Sequence, residues 1–252
     1  YGLFILPESL PLEKRMPFSW RRANPVGAMI LLKRHAELAG LAVVNFLLYF
    51  AHHVFSAVFV LYAGLRYGGG PWQVGALLAM VGVLDMIVQG VLVGPASKRF
   101  GDRATMIFGL CGGAVGIAMM GWAPTGVAFI VAMFPNALWG LAMPTLQSLM
   151  TRRVGESEQG QLQGANMSVA SIAGVASPLF FGWIYSVSVG EGGGRAAAWL
   201  SDRGLPAVSA AADALLSEPG LAFYLASVVL ALGALIGFLT ARRAERDEVT
   251  SV

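Results

Sequence analysis

The chain has 252 residues, 56% of them hydrophobic and 12% charged, where an ordinary soluble domain carries about a quarter charged. With a mean hydropathy of +0.67, that excess is too large to hide inside a water-soluble fold of this length. The net charge of +3 does not point to a nucleic-acid partner, and the single Cys111 excludes a disulfide framework.

The first segment, residues 1–35, opens on Tyr1-Gly2-Leu3-Phe4-Ile5-Leu6, which reads as the end of a preceding helix. A linker expected to be cytoplasmic follows over residues 7–35. In it Asn24-Pro25 is a good helix start, because Asn caps and Pro suits the first turn, and residues 26–34 are expected to lie on the membrane surface. Six apolar stretches come next: Ala36–Leu65, Trp72–Gly94, Ala104–Trp122, Gly126–Met150, Leu162–Val187 and Leu221–Thr240. Each is close to or above the roughly 20 residues a helix needs to cross the hydrocarbon core. The expected architecture is therefore all-α, a six-helix membrane bundle over residues 36–242 with a tail at 243–252.

Residues 188–219 make a long connection that is nearly all glycine from Gly190 to Gly194 and Ala-rich beyond. It reads as a disordered or decorative insertion in which Ala207–Leu216 can form a short surface helix. Ser217 and Pro219 mark the start of the last span. Within the third span, Gly109-xxx-Gly113 and Gly112-xxx-Gly116 permit close helix approach.

Charge orients the bundle. Lys14, Arg15, Arg21, Arg22, Lys33, Arg34, Lys98, Arg99, Arg103, Arg152, Arg153, Arg242, Arg243 and Arg246 fall on one side, and only Arg66, Arg195 and Arg203 on the other. The positive-inside rule makes the first side cytoplasmic and puts both termini there, as in a multi-pass bacterial inner-membrane protein. The bilayer is the first expected partner.

Asp85 is the one acidic residue near the middle of a span, and Gln89 follows it one turn on. A charge at that depth is costly and normally faces a cavity, a bundle interior or a proton path. Two readings stay open: proton or substrate handling, or a protonated side chain hydrogen-bonded for packing. Asn45, Tyr49, His52 and Ser56 form one helical face in the first span, and either His52 or His53 is a natural proton carrier or a packed ring. Asn136, Gly140, Met143 and Gln147 repeat the pattern in the fourth span, with Gln163 and Asn166 in the fifth. The proton-coupling candidates are thus Asp85, His52 and His53. Asn45, Tyr49, Ser56, Gln89, Asn136, Met143, Gln147, Gln163 and Asn166 make a wall of amides, aromatic rings and methionine suited to a small amphipathic molecule. Three histidines without a His-xxx-His spacing and one cysteine argue against an enzyme, a metal or a bound cofactor.

The run Leu6-Pro7-Glu8-Ser9-Leu10 with Glu13-Lys14-Arg15 resembles the central cytoplasmic loop of the tetracycline-efflux branch of the major facilitator superfamily. Gly140-Leu141-Ala142-Met143-Pro144-Thr145-Leu146-Gln147 with Met150 resembles the same branch, as do Gln159-Gly160, Leu162-Gln163-Gly164, Gly174-Val175, Pro178-Leu179 and Ile184-Tyr185. The resemblance implies that the six spans are the second half of a twelve-helix transporter built of 3+3 inverted repeats. It implies proton-driven drug export by alternating access, with an N-terminal six-helix half as partner, from the same polypeptide or a second copy. Gly94, Arg99, Gly101 and Arg103 match the family's cytoplasmic gating-loop motif, while Lys98 replaces its acid. Gly113 stands where those exporters carry a proton-coupling acid, and Asp85 stands where they tend to carry a histidine. The alternatives are a non-transporting six-helix module that needs a partner half, and a facilitator for a non-drug solute.

Overall fold

The structure, a computed structural model, describes residues 36–190 and 192–250. The expected linker and surface helix of residues 1–35 lie outside the described residues, which contain only helices as regular elements.

Helix α1 (Ala36–His52) passes through a π-helical turn at Phe55–Phe59 into α2 (Val60–Tyr67). The helix stops there because Gly68 adopts a left-handed φ of 63° and its N–H bonds back to the Gly64 carbonyl. Gly70 and Pro71 then start α3 (Pro71–Ile87), with Pro71 in the first turn where a missing N–H costs nothing. A second π-helical turn at Val88–Leu92 leads into α4 (Val93–Trp122).

From Pro71 to Trp122 the helical run is 52 residues long. A straight helix of that length would measure about 78 Å, more than twice the ~30 Å hydrocarbon core. Gly101 breaks it, with φ 80° and ψ 156°, a conformation open to glycine and closed to side-chain-bearing residues. Five described helical runs are long and apolar enough to cross a membrane, this broken one among them.

Helix α5 (Gly126–Ala137) is capped by Thr125, whose Oγ1 accepts from the Ala128 N–H at 3.2 Å. Pro135 removes a helical N–H, and the chain tightens into a 3₁₀ turn at Leu138–Leu141 before α6 (Ala142–Thr151). Next come α7 (Gln159–Val189), α8 (Gly192–Ser201), α9 (Pro206–Leu216) and α10 (Leu221–Thr250). The expected loop at 188–219 is thus largely two helices packed on each other, which the runs Ala196–Ala198 and Ala210–Ala212 favour by propensity. Ser217 follows α9 and lies 3.3 Å from Asp213 Oδ1; it does not cap α10, which starts four residues later.

Helix α10 packs along α4 and α1, α7 packs on α1, and α4 packs on α5 and α6. The α4–α5 contact depends on missing side chains: a β-carbon on Gly116 would collide with the backbone of Asn136, and one on Gly112 with Leu138. At one end, the carbonyls that α4 leaves unpaired are met by α2. Tyr62 Oη donates to Gly121 O at 2.9 Å, and Tyr67 Oη and Arg66 Nε donate to Ala123 O at 2.8 and 3.2 Å. At the other end Asp102 accepts from Ser148 Oγ at 2.6 Å and pairs with Arg152 at 2.9 Å, tying the Gly101 turn to α6. Helix α3 touches mainly α5 and the 3₁₀ turn, and Val74 is its one buried residue.

Candidate functional site

A cavity of about 360 Å³ lies where α1, α3, α5 and the 3₁₀ turn meet. That is inside the range of roughly 300–1,000 Å³ usual for small-molecule sites. Of the residues singled out by sequence, it gathers Tyr49 and His52 from α1, Asp85 from α3, Gln89 from the second π-helical turn, Asn136 from α5 and Met143 from α6.

His52 is held by Trp139, whose ring it meets edge-on at 5.3 Å, and by Phe55 at 6.1 Å. His53 turns the other way. Its Nε2 lies 3.3 Å from where a β-carbon on Gly174 of α7 would stand, and its Nδ1 is 3.5 Å from Ser56 Oγ. Of the two neighbouring histidines, His52 is therefore the one that lines the cavity.

Asp85 is half-buried and has no hydrogen bond or ion pair among the described residues. Its Oδ1 lies 3.3 Å from where a β-carbon on Gly140 would stand, so the absent side chain of Gly140 leaves the carboxylate its room. Asn136 is buried, and its Oδ1 has no partner within the described residues. A buried carbonyl oxygen without a donor is costly and marks a place for water or a ligand N–H or O–H. Leu48, Phe55, Leu78, Val81 and Trp139 complete an apolar lining. The site thus offers one free carboxyl, one imidazole and one orphan amide oxygen against aromatic and aliphatic walls. No cluster able to hold a metal occurs among the described residues.

The structure divides the expected polar wall in two. Asn45, Asn166 and Gln147 lie apart from the cavity lining as a chain of amides joining α1, α7 and α6. Asn45 Nδ2 donates to Asn166 Oδ1 at 3.4 Å, and Asn166 Nδ2 donates to Gln147 Oε1 at 3.1 Å. Ser56 is exposed and donates to the His53 carbonyl at 3.0 Å, and Gln163 is exposed on α7. In the motif Gly94–Arg103, Gly101 makes the turn, Arg99 is exposed with its guanidinium 5.5 Å from the Phe100 ring, and Gly94 is exposed in the first turn of α4. Arg103 is half-buried just beyond the turn.

Two contributors escaped the sequence reading. Trp139 was hidden among apolar neighbours, and only the Asn136–Gly140–Met143 spacing hinted at its wall. Asp102 stands just after Gly101 in the motif, and its contact with α6 spans 46 residues, beyond the reach of local patterns.

Comparison with known proteins agrees with this architecture. Residues 41–252 match the Major Facilitator Superfamily. The tetracycline resistance protein, class C, of Escherichia coli is 31% identical over 195 residues, 77% of this chain and 49% of that protein. The class G protein of Vibrio anguillarum is 31% identical over 168 residues, 66% of this chain and 43% of its own length. A bovine protein named hippocampus abundant transcript-like protein 1 is 24% identical over 189 residues, 73% of this chain and 38% of its own length. The chain thus spans about half or less of the length of these curated relatives, and no solved structure matches it. The match over residues 41–252 makes the chain a member of the Major Facilitator Superfamily, a family of transporters rather than enzymes.

Proposed function

We propose that this chain is the C-terminal half of a proton-coupled exporter of small amphipathic, drug-like molecules, working by alternating access in a bacterial inner membrane. The tetracycline resistance proteins it resembles support drug efflux as the class of activity. The break at Gly101 in the run Pro71–Trp122 supports counting it as two spans, which makes six crossings, the number a 3+3 arrangement needs. Fourteen basic residues on one side against three on the other support cytoplasmic termini. The N-terminal six-helix half closes the cavity against the face that α3 leaves open.

The observation that carries the reading is Asp85: an acidic side chain without a partner among the described residues, in a cavity it shares with His52. A carboxyl that must lose its proton to one side of the membrane and regain it from the other needs that kind of site. His52 hands protons between Asp85 and solvent, while Tyr49, Gln89, Asn136 and Met143 hold the cargo. Gly113 supports the relocation of the acid. A β-carbon there would stand 2.9 Å from Trp139 Cβ, so that position has no room for a carboxylate, and Asp85 takes its part.

The test is efflux by the full-length protein in everted membrane vesicles. Asp85→Asn is expected to fold and insert normally yet lose transport driven by a proton gradient. Wild-type efflux in that variant would overturn the assignment.

A further inference from the structure

A second cleft, of about 630 Å³, lies behind the cargo cavity. Its walls are Phe108 and Ala104 from α4 after the Gly101 turn, Arg99 and Phe100 just before it, and Leu138 and Leu141 from the 3₁₀ turn. The 3₁₀ turn separates the two spaces, because Trp139 and Gly140 face the cargo cavity while Leu138 and Leu141 face the cleft. The chemistry of the cleft is lopsided. It is almost wholly apolar inside, while Arg99 borders it with Lys98 beside it in sequence, and both are exposed.

Its depth follows from the sequence. The basic run Lys98–Arg103 sits at the boundary between two apolar stretches, where headgroups lie, and the apolar walls run from there into the span Ala104–Trp122. Phe100 and Phe108 are largely exposed in this chain. Cationic residues at headgroup level above an apolar slot match an anionic lipid, with its phosphate on Arg99 and one acyl chain against Phe108.

We infer that this cleft binds one acyl chain of an anionic phospholipid, held by Arg99 at its headgroup. The lipid then packs against the back of the wall that faces the cargo. The site depends on membrane embedding and not on proton coupling, so it stands or falls separately from the transport reading.

The experiment is native mass spectrometry of the full-length protein released from nanodiscs holding equal amounts of phosphatidylglycerol and phosphatidylcholine. The wild type should retain phosphatidylglycerol in preference. Arg99→Gln, a change at an exposed residue, should lower that retention by roughly fivefold and erase the preference. Ala104→Trp, which fills the cleft, should lower retention of both lipids at an unchanged melting temperature. Retention of phosphatidylglycerol at the wild-type level in Arg99→Gln would overturn the proposal. So would a wild type that keeps no lipid, which is the outcome expected if protein from the other half covers the cleft.

Discussion

Gly140 and Asp85 face each other across the cavity so closely that a β-carbon on the glycine would stand 3.3 Å from the Asp85 carboxylate oxygen. The same β-carbon would stand 3.3 Å from Gln89 Cγ and Val88 Cγ1, so three neighbours on the α3 side would have to give together. Gly140→Ala is expected to push the Asp85 carboxylate aside by a few tenths of an ångström, at the expense of its placement in the cavity. The protein should still insert and purify, and the loss should appear as slower efflux in vesicles. An alanine variant with wild-type efflux would mean that Asp85 has slack that this contact does not suggest.

The chain Asn45–Asn166–Gln147 sits off the cavity, so its loss should register as stability before it registers as affinity. Hydrogen bonds inside membrane proteins are worth about 0.6 kcal/mol on average and up to roughly 2. Asn166→Leu cuts both bonds and strands two amides, and a loss of about 1–2 kcal/mol is expected in detergent unfolding. The 3.1 Å bond to Gln147 is shorter than the 3.4 Å bond to Asn45, so a double-mutant cycle of Asn166 with Gln147 should show the larger coupling. Equal stability of Asn166→Leu and wild type would contradict the assignment of these amides to packing.

At the Gly101 turn, Asp102 has two partners of unequal worth. The Asp102 side chain is only 8% exposed, whereas that of Arg152 is 71% exposed. An ion pair with one partner so open to solvent contributes about 0–1 kcal/mol, while a hydrogen bond to a buried carboxylate contributes roughly 1.5–3. Ser148→Ala should therefore cost more than Arg152→Gln, and added salt should weaken only the Arg152 contribution. The reverse order in thermal unfolding would show that the ion pair, not the serine, fastens this turn to α6.

What could be read in the sequence was what repeats locally. Apolar length marked the spans, and helical spacing brought Tyr49 together with His52 on α1, and Asn136 with Met143 across the 3₁₀ turn between α5 and α6. What could not be read was how the helices turn toward one another. Asn45 shares a helical face with Tyr49 and yet meets Asn166, which is 121 residues away in sequence. The π-helical turn that follows His53 at Phe55–Phe59 redirects that face, and leaves Ser56 exposed. Spacing counted at 3.6 residues per turn cannot register such an added residue. In the 188–219 segment the surface helix expected over Ala207–Leu216 is present as Pro206–Leu216, whereas Gly192–Ser201 was not legible, because it opens on three glycines before its alanine run.

Gly116 offers the sharpest test of how the site is supported from behind. A β-carbon there would run into the Asn136 backbone nitrogen and Cα, and backbone on both sides cannot yield as a flexible side chain can. Asn136 lines the cavity, so the collision would displace α5 from α4 and carry an amide of the cavity lining with it. Gly116→Ala should cost about 3 kcal/mol or more, the range of severe overpacking. Gly182 on α7 is the control, because a β-carbon there meets nothing within 4 Å among the described residues. Gly182→Ala should be neutral or gain up to about 1 kcal/mol from helix propensity alone. Thermal unfolding of the two full-length variants in detergent separates a packing effect from a general intolerance of alanine. If both variants melted with the wild type, the close approach of α4 to α5 would not be a feature of the folded protein.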